Sequence, residues 1–303
     1  MTDAQTTPID QPDCPAPLPP APARYRPPPG ACDCHFHVFG PFQRFPLATR
    51  RSYTPPEALV EAYGTLMRTL GIDRCVIVQP SVYQTDNGCT LAAARALGGP
   101  ERCRVVAVID ADITRPQLDA MHVAGVRGVR INTVAGGGPS KTQMRDIARL
   151  IAPLGWHLQL FMALEVLAET EDLLATLPVD VVLDHMGAPG AAAWSHSDVP
   201  VLLRMLGRGR TWIKLSGAYL GSSGAAPWDD MGRLARQLAD HRPDRLVWGT
   251  NWPHPSRFTR MPGDNEILDA LSLWIPDALL LKQIFVTNPS ALYGFDEEPS
   301  SRW

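Results

Sequence analysis

Short apolar runs, rich in β-branched residues and too brief for helices, punctuate the chain from Ala31 onward. They are ACDCHFHVF at 31–39, RCVIVQPS at 74–81, RCRVVAVID at 102–110, VRGVRIN at 126–132, HLQLFM at 157–162, VDVVLDH at 179–185, TWIKLSG at 211–217 and RLVWGTNW at 245–252. Runs of this length that stay apolar read as strands buried on both faces. Between them the apolar spacing changes to the helical period, as in PEALVEAYGTLMRTLG at 56–71 and SKTQMRDIARLIAPLG at 140–155. In the second, Ser140 is placed to cap the helix and Gly155 to stop it. Strand followed by helix, repeated across residues 31–252, predicts a parallel sheet covered by helices.

Eight such units predict a (β/α)8 barrel of the TIM type rather than a doubly wound sheet, because no G-x-G-x-x-G turn follows the first strand. The barrel is expected over residues 31–295 as one domain, with LLLKQIFVTNPSALYGF at 279–295 as a last helix closing it and 296–303 as a tail. Residues 1–30 hold ten prolines. Such a segment builds neither helix nor sheet interior, so it reads as an arm, either disordered or extended over a neighbouring surface through Leu18 and Tyr25.

Composition narrows the partners. A net charge of −3 and the lack of a Lys/Arg block argue against nucleic acid. No apolar stretch reaches the ~18 residues of a membrane span, and MTDAQTTPIDQPDC lacks the basic start and apolar centre of a secretion signal. A cytoplasmic protein, monomer or homo-oligomer, is expected. The six cysteines lack paired zinc spacing and read as reduced, mostly buried fillers. Strict alternation along the first strand sets Cys32 and Cys34 on the face opposite His35 and His37.

In a barrel of this kind the site lies at the C-terminal ends of the strands. Polar residues there are His35 and His37, Gln79 and Ser81, Asp110 and Asp112, Arg130 and Asn132, His185, Lys214 and Ser216, and Asn251 with His254. His35 and His37, two apart, share a face and can hold a cation or an oxyanion. Arg130 suits a carboxylate gripped in fork geometry, with an ion pair to Asp110 as the bland alternative. Arg127, of opposite parity, faces the helices. His157 opens its strand at the wrong end for catalysis, and His122, His196 and His241 read as surface residues.

The stretches RYRPPPGACDCHFHVFGPFQRFP, VIVQPSVYQTDN, GVRGVRIN, LDHMGAP, VWGTNWPHP and VTNPSALY together resemble the amidohydrolase superfamily. Within it the match is to the lactone-processing group that includes 2-pyrone-4,6-dicarboxylate lactonase and galactarolactone isomerase. The resemblance implies a (β/α)8 barrel, carbonyl chemistry on a small carboxylated ring, and a substrate contact from Tyr53. For hydrolytic members it also implies a water-activating aspartate at the end of strand eight. Here that position is Asn251, and an amide is no general base near neutral pH. The loop after strand seven carries Tyr219, Ser222 and Ser223 where the pyrone enzyme has an arginine.

Three readings follow. In hydrolysis of a lactone, Arg130 and Asn132 grip the substrate, His35, His37 and His185 stabilise the oxyanion, and His254 or a relayed group replaces the missing base. In lactone isomerisation, Asn251 orients an internal hydroxyl, whose high effective molarity removes the need for activated water. A catalytically dead binding protein is the third. No cofactor is expected. Zinc, if bound, takes His35, His37 and His185, but a charge-neutralising carboxylate is missing from that set.

Overall fold

The computed structural model describes residues 12–134, 143–187, 199–258 and 260–296. Eight strands pair in chain order, all parallel: β1 (Cys32–Phe36), β2 (Arg74–Val78), β3 (Cys103–Ala107), β4 (Val126–Asn132), β5 (His157–Phe161), β6 (Val181–Leu183), β7 (Thr211–Leu215) and β8 (Leu246–Trp248). The helices around them are α1 (Val60–Leu70), α2 (Gly88–Ala96), α3 (Arg115–Val123), α4 (Met144–Ile151), α5 (Leu164–Ala175), α6 (Val199–Gly207), α7 (Ala218–Gly221), α8 (Asp229–His241), α9 (Asp264–Trp274), α10 (Ala278–Lys282) and α11 (Asn288–Tyr293). Each strand falls within the run that predicted it. The helix expected at 140–155 is α4, whose C-terminal turn ends at Gly155 with φ 66; Ser140 lies outside the described residues. The last segment is interrupted by a π turn at Gln283–Thr287 between α10 and α11. No described helix is long and apolar enough to cross a membrane.

The β8–β1 seam closes the barrel through specific bonds rather than a ladder. His37 N–H donates to Trp252 O at 2.8 Å, and Asn251 N–H to His35 O at 2.7 Å. Gly249 permits this approach, since a Cβ there would sit 2.7 Å from both Cβ and N of His35. Beneath, buried Asp33 accepts four hydrogen bonds: the N–H groups of His35 and Thr250 at 3.0 Å each, the Thr250 hydroxyl at 2.7 Å and the Tyr63 hydroxyl at 3.0 Å. One carboxylate thus ties β1, α1 and the end of β8 together, as a buried charge requires.

Strand β1 does not alternate as expected. Its pairing with β2 runs Asp33 to Cys75 and then Phe36 to Ile77, three residues against two, which is a β-bulge. Below the bulge Cys32 and Cys34 join one cluster with Val76, Val106, Val182 and Val247 from strands around the barrel, so they point inward. Above it His35 and His37 face inward too, while Phe36 points out and stacks on Tyr63 with centroids 3.5 Å apart. The expectation that the cysteines oppose the histidines is corrected. All six thiols are unpaired.

The opposite end of the barrel is plugged by the chain's own C-terminal segment. The Phe295 ring lies between the guanidinium groups of Arg74 and Arg104, 4.9 and 5.1 Å away. His157, buried at this end, packs edge-on to Tyr293 at 5.3 Å. Of the other histidines, His122 accepts from Trp156 Nε1 at 2.9 Å, His241 is exposed and His196 lies outside the described residues. Residues 12–30 contain no helix; Cys14 N–H bonds Thr54 O at 2.8 Å and Tyr25 stacks on Phe285 at 6.0 Å, whereas Leu18 is exposed.

Candidate active site

At the C-terminal ends of the strands the polar side chains converge on Asp184, which follows β6 and is fully buried. Arg130 reaches its Oδ2 through Nε at 3.3 Å and Nη2 at 3.2 Å. Gln159 Nε2 donates to the same oxygen at 3.1 Å. His35 Nδ1 lies 3.2 Å from Oδ1, and Lys214 Nζ 3.7 Å from it. The Arg130 partner is therefore Asp184, not Asp110, which is exposed along with Asp112. Lys214 also donates to Cys34 O at 2.8 Å and Gln159 Oε1 at 2.6 Å. Burial draws the lysine down to about 8 despite the carboxylate, whereas the cations around Asp184 hold its carboxyl well below the usual range.

Three imidazoles sit above this hub. His35 and His37 stand edge to face with centroids 5.0 Å apart, and His185 tilts against His35 at 4.6 Å. His37 Nδ1 must carry its proton, because it faces the carbonyl of Val78 at 2.7 Å. Its Nε2 is therefore a lone pair in the neutral ring, aimed at His35 Nε2 3.3 Å away. His185 Nδ1 pairs with the Ser216 hydroxyl at 3.0 Å. Burial pushes all three rings down, His37 to about 3, His185 to about 4 and His35 well below its ordinary value. Burial thus favours the neutral form of each ring.

A second chain of groups adjoins the first. Asn251 Nδ2 donates to the Tyr219 hydroxyl at 2.7 Å, and Tyr219 lies 3.0 Å from His254 Nδ1. His254 Nε2 is 3.3 Å from Asp264 Oδ1 at the start of α9. Asn251 Oδ1 is buried and has no hydrogen-bond partner among the described residues. His185, Asn251 and His254 all adopt left-handed backbone, with φ of 51, 64 and 61. Left-handed backbone is uncommon outside glycine, and residues held in it gather at functional sites. Gly217, beside His185, leaves the room its ring needs: a Cβ there would lie 2.8 Å from Nδ1.

The remaining predicted residues are placed as follows. Tyr53 is buried with the Ser81 hydroxyl and the Arg130 guanidinium as neighbours, and burial pushes its phenol up to about 12. Gln79 is turned away from the mouth: its amide donates to Gln84 O and Asp86 O and accepts from Thr90, so it shapes a loop and meets Arg130 only through its carbonyl, at 3.4 Å. Asn132 caps its own turn by accepting from Val134 N–H at 3.1 Å. Sequence reasoning missed Asp184, Gln159, Asp33 and Asp264. The signal for the first two was parity, since Asp184 shares a face with inward Val182, and Gln159 with His157.

A carboxylate does accompany the histidines, contrary to expectation: ligand atoms of His35, Asp184 and His185 lie within 4.8 Å of one another. That set is nonetheless a poor match for a dication. Arg130 and Lys214 already neutralise Asp184, so a dication held there would meet two cations and no spare negative charge. The fourth position at which a carboxylate could offset this holds Asn251.

A parallel eight-stranded barrel with a buried imidazole cluster at the strand C-termini is the frame of a barrel enzyme. The chain belongs to the amidohydrolase family, which matches residues 32–295. It is 36% identical over 279 residues to a 4-sulfomuconolactone hydrolase of Hydrogenophaga intermedia, covering 90% of this chain and 91% of the relative. It is 35% identical over 292 residues to a 2-pyrone-4,6-dicarboxylate hydrolase of Comamonas testosteroni, covering 92% and 94%. A D-galactarolactone isomerase of Agrobacterium fabrum is 33% identical over 271 residues, covering 88% and 91%. A crystal structure of an Agrobacterium tumefaciens protein in its apo form superposes with a TM-score of 0.83 at 30% identity, covering 92% of this chain and all of that one (100%).

Proposed function

We propose that the protein hydrolyses a lactone of a small carboxylated compound, such as a pyrone carboxylate or a sugar acid. The reading rests on one observation above all: three imidazoles and an arginine with N–H groups to spare meet in a single buried cluster. Of the five N–H bonds of a guanidinium, Arg130 directs Nε and Nη2 at Asp184 and one Nη1 bond at Gln79 O. Two remain, enough to grip a substrate carboxylate. His185, with Ser216 at its Nδ1, is free to donate through Nε2 to the oxyanion. When the attacking water displaces His35 Nε2 from its 3.3 Å contact, the His37 Nε2 lone pair takes the water's proton as the new C–O bond forms, then returns it to the departing ring oxygen. This base takes on the role that an aspartate at 251 would have had, and it is a weak one.

Asn251 favours a second reading, isomerisation, in which a hydroxyl of the same molecule attacks and the ring oxygen departs as the new hydroxyl. The unpaired Oδ1 is an acceptor for that hydroxyl, and proximity replaces base strength. Incubating the protein with pyrone-carboxylate and sugar-acid lactones in 18O-water, followed by NMR and mass spectrometry, separates the outcomes. Open acid carrying 18O is hydrolysis; a shifted ring without label is isomerisation; no turnover across the panel leaves a binding protein. Neither reading uses a metal, and zinc near one equivalent in purified protein, lost with activity on chelation, would overturn that part. Action on a soluble small molecule in the cytosol belongs to the same proposal, supported by the net charge of −3 and six free thiols.

A further inference from the structure

The chain from Asp264 to Asn251 has a direction. At one end the Asp264 carboxylate only accepts, so of the two ring nitrogens His254 Nε2, 3.3 Å away though off the line of a hydrogen bond, is the one that carries the proton. His254 Nδ1 is then a lone pair and accepts from the Tyr219 hydroxyl at 3.0 Å. With its proton committed, the phenol oxygen can only accept, and it does so from Asn251 Nδ2 at 2.7 Å. The amide is left with its oxygen unpartnered. The opposite sequence, in which Asn251 turns its oxygen to Tyr219 and Tyr219 accepts from His254 Nδ1–H, sets a bare Nε2 lone pair against a carboxylate oxygen. Every member is buried, with Asp264 at 4%, Tyr219 at 4% and His254 and Asn251 at 1% exposure, so water does not relax the conflict.

We propose that Asp264 is a positioning residue which, through His254 and Tyr219, holds the Asn251 amide with its oxygen toward the reacting centre. This rests on the reading that residue 251 faces a substrate O–H or water. Asp264 touches no reacting atom; it decides whether residue 251 presents an acceptor or a donor.

The test is Asp264→Asn, nearly isosteric, whose amide can donate to His254 Nε2 and so permit the reversed chain. Nitrogen-15 NMR of histidine-labelled protein, with His254→Gln to assign the signal, reads the tautomer without substrate. The expected result is Nε2–H in the wild type and a shift toward Nδ1–H in D264N. On a lactone that the wild type turns over, kcat falls roughly 10- to 100-fold, the range of one lost charge-assisted hydrogen bond, with KM within about twofold. In an Asn251→Asp background both side-chain oxygens accept, so adding D264N costs less than threefold. An Nδ1–H tautomer in the wild type, an unchanged kcat in D264N, or an undiminished penalty on the N251D background overturns the proposal. If no lactone is turned over, the tautomer measurement still decides the direction of the chain, and only the reading of function fails.

Discussion

Replacing Asp184 by asparagine keeps the shape of the hub and removes its only negative charge. Arg130, whose guanidinium is 3.2 Å from the carboxylate, and Lys214, fully buried 3.7 Å from it, are then left without a counter-ion. Breaking a buried pair in this way costs 3–5 kcal/mol, where exposed pairs cost about 1 or less. At roughly 2 °C per kcal/mol for a chain of this size, the melting temperature should fall by about 6–10 °C. Thermal unfolding followed by circular dichroism at pH 7 measures it. The double variant Asp184→Asn, Lys214→Met, which removes one orphaned cation, should recover part of the loss. A fall below about 2 °C, or a double variant less stable than D184N, would refute the placement of Asp184 as the charge that permits two buried cations.

Lys214 supplies a pH dependence. Its folded value of about 8 lies below the ordinary 10.5 of the unfolded chain, so between these limits the unfolded state binds more protons and stability rises with pH. Wild-type stability minus that of Lys214→Met, from urea unfolding at several pH values, should therefore increase from pH 8 to pH 10; a flat difference contradicts the assignment. Gly249→Ala places a methyl 2.7 Å from His35 and should cost 1–3 kcal/mol or more in the same unfolding assay, with β1 displaced at the seam. Arg130→Lys keeps the charge but not the fork, and should raise KM for a carboxylated lactone at least tenfold; an unchanged KM would remove Arg130 from substrate binding. Asn251→Asp should speed incorporation of 18O from water into the product by restoring a carboxylate base, and no gain would set residue 251 apart from the attacking oxygen.

The barrel was readable from the run-and-helix rhythm because each strand is apolar on both faces and brief, and the eight runs contain the eight strands. What escaped was whatever departs from periodicity. The bulge between Asp33 and Phe36 inserts one residue into β1, and no residue type in CDCHF announces it. Parity counting therefore assigned the histidine pair correctly and the cysteine pair to the wrong face. The carboxylates were missed for a different reason. Asp184 and Asp33 sit inside apolar runs, next to more conspicuous histidines, and their roles depend on partners 54 and 217 residues away, Arg130 and Thr250. Gln79 illustrates the converse: it stands at the right strand end, yet a loop five to seven residues on consumes its amide.

Charge balance links the hub to position 251. Asp184 faces two cations, so with Lys214 protonated the pocket carries an excess positive charge that a substrate carboxylate or a developing oxyanion neutralises. An aspartate at 251 would provide a base and also compete for that charge. An asparagine leaves the whole field to the substrate while losing the base, so the attacking oxygen must come either from a poorly activated water or from a hydroxyl already held against the carbonyl. Which of these wins is a question of effective molarity against base strength. A preorganised hydroxyl is worth 7–11 kcal/mol of barrier, and general base catalysis typically 10²- to 10⁴-fold, about 3–5 kcal/mol. On a lactone that offers no such hydroxyl only opening is available, and on hydroxylated lactones the ring shift should compete with opening in the same site.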